Sequence, residues 1–254
     1  MYGCAGDMPD PKYVINIEGE EFRCFVNEDV KKDTLDLIRV NFSTIDGSYC
    51  ETAMLSGSSS IHPDMIQFNL HHIDQNQDCS LPQHNPSRNL NAGYLEEGDY
   101  NVQLAISQSV YYQGKLSVTD ELLKIEFYDA PTLNVYPDPT FRIPDGTVWM
   151  RLHFLPKDAD EVMECKDRIE AIAKDHSFED GYYSYFDVEN GEVNIFRPNE
   201  SPNLESSEGL FVLNDTDSAT VDSMLTIVRS YLPVTNHQFY VFLKTWHGQE
   251  YLIE

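Results

Sequence analysis

Basic residues are scarce in this chain: 17 Lys and Arg stand against 43 Asp and Glu, for a formal charge of −26. Tracking a nucleic-acid backbone needs clustered Lys and Arg, so that class of partner is excluded. Adhesion to anionic lipid through a basic face is excluded for the same reason. No apolar run approaches the roughly 20 residues that a membrane-spanning helix needs. The chain has no CxxC pair, no Gly-x-Ser-x-Gly, no His-Glu-x-x-His, no P-loop and no DxDxDG calcium loop. Each of those spacings would place a nucleophile, a metal or a phosphate in a defined local geometry. Without them the sequence assigns no catalytic residue and no cofactor. The acids are scattered rather than arranged in stripes, which suits solubility.

The 254 residues are 41% hydrophobic, enough for a proper core and for one large or two ordinary domains. Residues 1–11 read as a polar tether. From residue 12 the apolar pattern has period two, the mark of half-buried strands. Tyr13–Ile17, Glu21–Val26, Leu35–Ser43, Ser48–Leu55 and Met65–Ile73 are expected strands. Ser56–Ser60 is expected as a flexible loop, and Asp74–Asn91 as a long polar one. Three more strands follow around Val102–Ile106, Leu116–Val118 and Leu123–Phe127, with Gln113-Gly114 as a turn signal between the first two. Short strands with a turn every 8–12 residues suggest a β-sandwich over 12–131. Residues 132–146 carry several prolines and read as an extended linker or edge strand, because Pro cannot donate into a ladder.

The period changes over 147–254. Val148–Leu155 is an expected strand. Asp158 or Asp160 can cap a helix whose Val162, Cys165, Ile169 and Ile172 share one face. Tyr182–Val188 and Glu192–Phe196 form a hairpin across Asn190-Gly191, a strong turn signal. Leu210–Leu213 begins a second round: Asp215 or Asp217 caps a helix burying Val221, Met224, Leu225 and Val228, and a hairpin follows across His247-Gly248. Strand, helix and hairpin thus occur twice. The expected fold is a two-layer α/β domain built from a duplicated β-α-β-β unit on one shared sheet.

The cysteines are Cys4, Cys24, Cys50, Cys79 and Cys165. Cys24 lies in an apolar strand and Cys165 on an apolar helix face, so both read as small core residues. Cys50 and Cys79 are candidates for a disulfide in an oxidising compartment, with Cys24 able to compete for either partner. Met1-Tyr2-Gly3-Cys4 matches the end of a bacterial lipobox, which makes Cys4 a lipidation candidate. The charged and apolar regions of a secretion signal are not among these residues.

One stretch carries a family likeness. Gly98-Asp99-Tyr100-Asn101-Val102, Leu116-Ser117-Val118-Thr119-Asp120 and Ile125-Glu126-Phe127 resemble the closing strands of an Ig-like sandwich in secreted lipoproteins of the Bacteroidetes type. With Gly3-Cys4, the resemblance implies a lipoprotein of the cell envelope, facing the periplasm or the cell surface. It covers about a sixth of the chain and transfers no catalytic motif.

Aromatic residues concentrate in the C-terminal hairpins. Alternate members of a strand face away from the helices, which makes Tyr183, Tyr185, Tyr240 and Trp246 candidates for recognising a protein or a glycan. His62, His71, His72, Cys79 and His84 offer metal-type donors, but adjacent His71 and His72 in a regular strand would point to opposite faces. The paired βαβ-containing modules also resemble the vicinal-oxygen-chelate enzymes, with His153 at a ligand-like place. No metal ligand is assigned. The expected function is a non-enzymatic envelope lipoprotein acting as a binding module, touching membrane only through its lipid. Two alternatives stand beside it: an acidic inhibitor or immunity-like protein for a basic partner, and a metal-dependent enzyme.

Overall fold

The computed structural model describes residues 12–30, 36–46, 49–76, 83–172, 178–195, 206–212, 218–235 and 239–253. The chain is mostly β-sheet and divides into two compact units. The first comprises the described residues up to Glu28 together with Leu37–Thr140. The second comprises those of Asp29–Asp36 and Phe141–Glu254. No helix is long and apolar enough to cross a membrane among the described residues.

The first unit contains β1 (Lys12–Ile15), β2 (Phe22–Asp29), β3 (Leu37–Thr44), β4 (Tyr49–Cys50), β5 (Met54–His62) and β6 (Met65–Asn76). It continues with β7 (Gln83–His84), β8 (Ser87–Tyr94), β9 (Gly98–Ile106), β10 (Val110–Val118), β11 (Leu122–Phe127) and β12 (Leu133–Val135). One sheet runs β1-β6-β9-β10-β11, with β5 also paired to β6. A second runs β12-β2-β3-β8. Alternate residues of both enter one core: Phe22, Cys24 and Val26 from β2, Val40 and Phe42 from β3, Phe68 and Leu70 from β6, Leu104 from β9. The rings of Phe42 and Phe68, one from each sheet, lie 5.7 Å apart. This arrangement is compatible with a β-sandwich.

Three expectations for this unit fail for identifiable reasons. Ser56–Ser60 is not a loop; it lies inside β5, held by the ladder to β6. Ser87–Asn91, expected in a loop, belongs to the strand Ser87–Tyr94, which pairs with β3 and buries Leu90, Ala92 and Gly93. Gln113-Gly114 is no turn. Gly114 sits within β10, opposite Phe127 and Val102, where an added Cβ would collide with the backbone carbonyl of Glu126. The turn is at Ser107–Ser109, with Ser107 and Gln108 at φ of 49° and 58°.

The second unit contains β13 (Thr140–Phe141), shared at the boundary, β14 (Val148–Phe154), α1 (Ala159–Glu170), β15 (Gly181–Tyr183), β16 (Phe186–Glu189) and β17 (Glu192–Ile195). It ends with β18 (Ser206–Val212), α2 (Ser218–Tyr231), β19 (Phe239–Thr245) and β20 (Glu250–Ile253). A four-stranded sheet runs β18-β14-β19-β20. Val148, Met150, Leu152, Val241 and Leu243 project from it into one cluster with Val162, Cys165 and Ile169 of α1 and Val221, Met224, Leu225 and Val228 of α2. Burial pushes the Cys165 thiol up to about 12, so it packs as a neutral apolar group. Asp158 precedes α1, but its carboxylate makes no capping hydrogen bond. Asp215 and Asp217 lie outside the described residues.

The first aromatic hairpin is divided differently from the expectation. Tyr182–Val188 is not one strand. Tyr183 pairs with Phe186 around a tight turn at Ser184-Tyr185, which makes β15-β16-β17 a meander. This meander belongs to a different sheet from β14, so the two expected copies do not share one sheet. The Asn190-Gly191 turn is present, with both residues at positive φ. The Asp180 carboxylate accepts their two backbone N–H groups at 3.1 and 2.9 Å.

Candidate functional site

Helix α2 and the β19–β20 turn enclose a cleft of about 250 Å³ in the second unit, lined by Val221, Asp222, Thr245, Trp246, His247, Gln249 and Tyr251. Its floor is fixed by the backbone. Trp246 donates its N–H to the carbonyl of Thr147 at 2.8 Å, and Gly248 donates to Thr245 at 2.8 Å. Thr245 Oγ1 accepts from Gln249 N at 3.2 Å. The Tyr251 hydroxyl donates to Gln249 Oε1 at 2.9 Å. The Trp246 and His247 rings stand 4.3 Å apart, tilted by 36°. Three aromatic rings and one carboxylate therefore meet at a small, half-open hollow.

The other aromatic candidates have different surroundings. Tyr183 is 2% exposed. It stacks on Phe186 and Phe141 at 4.8 and 5.2 Å, and burial pushes its phenol up to about 12. Tyr185 is a junction. Its ring lies 4.8 Å from Trp149. Its hydroxyl accepts from Val30 N at 3.0 Å and from Lys244 Nζ at 3.2 Å, and lies 3.3 Å from Asp29 Oδ1. Lys244 is buried, which pulls its ammonium down, but Tyr185 and Glu250 outweigh that and the net direction is up. Glu250 Oε1 sits 2.9 Å from Lys244 Nζ. Tyr240 is half-buried with its ring 5.4 Å from that of His153. Of the four, Trp246 lines the cleft.

A second hollow, of about 450 Å³, lies in the first unit between Val14, Asn16, Glu18, His71, His72, Ser107 and Gln108. Its two imidazoles reach one hollow because β6 is not regular. The ladder with β5 pairs Gly57 with Leu70 and then Ser56 with His72, so His71 is an extra, unmatched residue. This is a β-bulge. Ile66, Phe68 and Leu70 are buried, then Ile73, which leaves two consecutive outward residues. Strict alternation forbade that placement; the inserted residue permits it. His71 Nε2 lies 3.1 Å from Ser58 Oγ, and His72 Nε2 lies 3.4 Å from Asp74. Among the described residues, no three His, Cys, Asp or Glu side chains gather as a metal site would require. His62 and His84 are exposed. His153 is 2% exposed on β14, and its Nδ1 has no hydrogen-bond partner among the described residues.

Cys50, in β4, is buried and disulfide-bonded. Cys24 and Cys165 are free. Cys4 and Cys79 lie outside the described residues. No family model, curated protein or solved structure matches the chain.

Proposed function

We propose that the chain is a non-enzymatic binding protein of the cell envelope, with an Ig-like sandwich in its first unit and a two-layer α/β arrangement in its second. The observation that carries the binding role is the Trp246 cleft, where aromatic surface and a carboxylate converge beside a turn fixed by its own hydrogen bonds. Such hollows bind small groups by shape and by a few placed polar atoms. The disulfide at Cys50 supports an oxidising compartment, since cytosolic thiols are kept reduced. Its proposed partner is Cys79. In the sequence Cys79 falls between the strand that ends at Asn76 and the strand that begins at Gln83, and Gln83 pairs directly with Cys50. Cys4 is the proposed lipid-bearing residue.

The test is expression with the native upstream sequence, followed by fractionation and labelling with a palmitate analogue. The expected outcome is recovery with membranes, label lost in Cys4→Ala, and alkylation of Cys50 only after reduction. A soluble, unlabelled cytosolic protein whose Cys50 alkylates without reduction would refute the location.

A further inference from the structure

We infer that the Trp246 cleft takes an alkylammonium group; this deepens the binding role proposed above and rests on it. The reasoning starts from which lining atoms are still available. Thr245 Oγ1 already accepts from the backbone of Gln249, and Gln249 Oε1 already accepts from Tyr251. That leaves the rings of Trp246, His247 and Tyr251, the exposed carboxylate of Asp222, and the side-chain amide N–H groups of Gln249. A neutral sugar ring could stack on the same rings, but it gains nothing from the Asp222 charge or from the acidity of the chain, so a glucoside serves as the control. An anion would need Lys or Arg, and none lines the cleft. It would also approach a chain of net charge −26. An organic cation needs the reverse: π-faces, of which indole is the best, and a nearby negative charge.

Size agrees. About 250 Å³ is below the usual range for drug-sized ligands, so the cleft suits one compact head group rather than an extended molecule. The field of the acidic chain would concentrate cations around it. Two sources offer the same chemistry: a free quaternary amine, or the side chain of a lysine on a partner protein.

The test uses the full chain and its two tryptophans. Trp149 is 3% exposed, so a ligand-dependent change in fluorescence reports on Trp246. The chain is titrated separately with choline, with Nα-acetyl-lysine methylamide, and with a neutral methyl glucoside, each at constant ionic strength. The expected result is saturation by one or both ammonium compounds and none by the glucoside. Choline alone saturating points to a free amine; the lysine derivative alone saturating points to a protein partner. Trp246→Leu should abolish the response, measured by calorimetry, while Trp246→Phe weakens it. Asp222→Asn should weaken binding about two- to fivefold, as for an exposed charge pair. Thermal melts of all three confirm that the fold is retained. Saturation by the glucoside alone would overturn the cation assignment and leave a binding protein standing. No saturation by any of the three would overturn this cleft as the site, while the location remains decided by the labelling experiment.

Discussion

Tyr185 shows how much one hydroxyl can organise. It receives hydrogen bonds from a backbone N–H and from a buried ammonium, and its ring lies beside Trp149. Removing the oxygen leaves the buried Val30 N–H without this acceptor, while Lys244 keeps Glu250, at a cost of about 1–3 kcal/mol. Tyr185→Phe should therefore destabilise the protein by roughly that amount, measured by urea unfolding. His153 supplies a pH signature. Burial, and then the neighbouring Arg151 charge, lower its pKa below the ordinary value of 6.5. The unfolded chain thus binds a proton that the folded chain refuses. Stability from this group is present above the unfolded pKa and is lost as pH falls from about 6.5 toward the lower folded value. Urea midpoints should drop between about pH 7 and pH 5, and His153→Gln should flatten that part of the profile. Equal slopes in the two proteins would assign the dependence to other groups. Neither role was visible in the sequence. Tyr185 appeared as one aromatic in a row of four, and only tertiary packing brings Lys244, Val30 and Asp29 to it.

Strands and helices were legible where side chains alternate between apolar and polar, and illegible where backbone pairing alone imposes them. Val102–Ile106, Leu123–Phe127 and the buried stripe of α2 show their periods openly. Met54–His62 and Ser87–Tyr94 do not, because small and polar residues fill them and their neighbours in the sheet hold them in place. Gly114 misled because glycine serves two needs. Here it provides space rather than a turn: a side chain would meet the Glu126 carbonyl. Gly114→Ala should cost about 1–3 kcal/mol or more, by forcing β10 away from β11. An unchanged denaturation midpoint would mean that the strands part without strain. The bulge at His71 was hidden for a similar reason. An inserted residue is defined by its partner strand, and no pattern within β6 announces which of two histidines is the extra one. The candidate cleft was half legible: Trp246 stood out by its chemistry, but Asp222 and Val221 join it only because α2 packs beside the β19–β20 turn.

At the scale of the molecule, the two units part between Thr140 and Phe141, inside the proline-rich stretch. The sequence did not disclose that Asp29–Asp36 belongs with the second unit. That excursion is held by Val30 on Tyr185 and by the 3.1 Å ion pair of Asp36 with Arg142. Nothing local to a short polar segment predicts distant partners of this kind. Cleavage of the bond after Thr140 should accordingly leave two pieces that elute together on native size exclusion and separate in urea. Separate elution without denaturant would show that these contacts are too weak to hold. The excursion also bears on inheritance. Neither unit is one uninterrupted length of coding sequence, so neither can be passed on as a simple cassette. A genetic exchange at the obvious boundary would part Asp36 from Arg142 and Val30 from Tyr185. The two units are therefore expected to travel between proteins together or not at all.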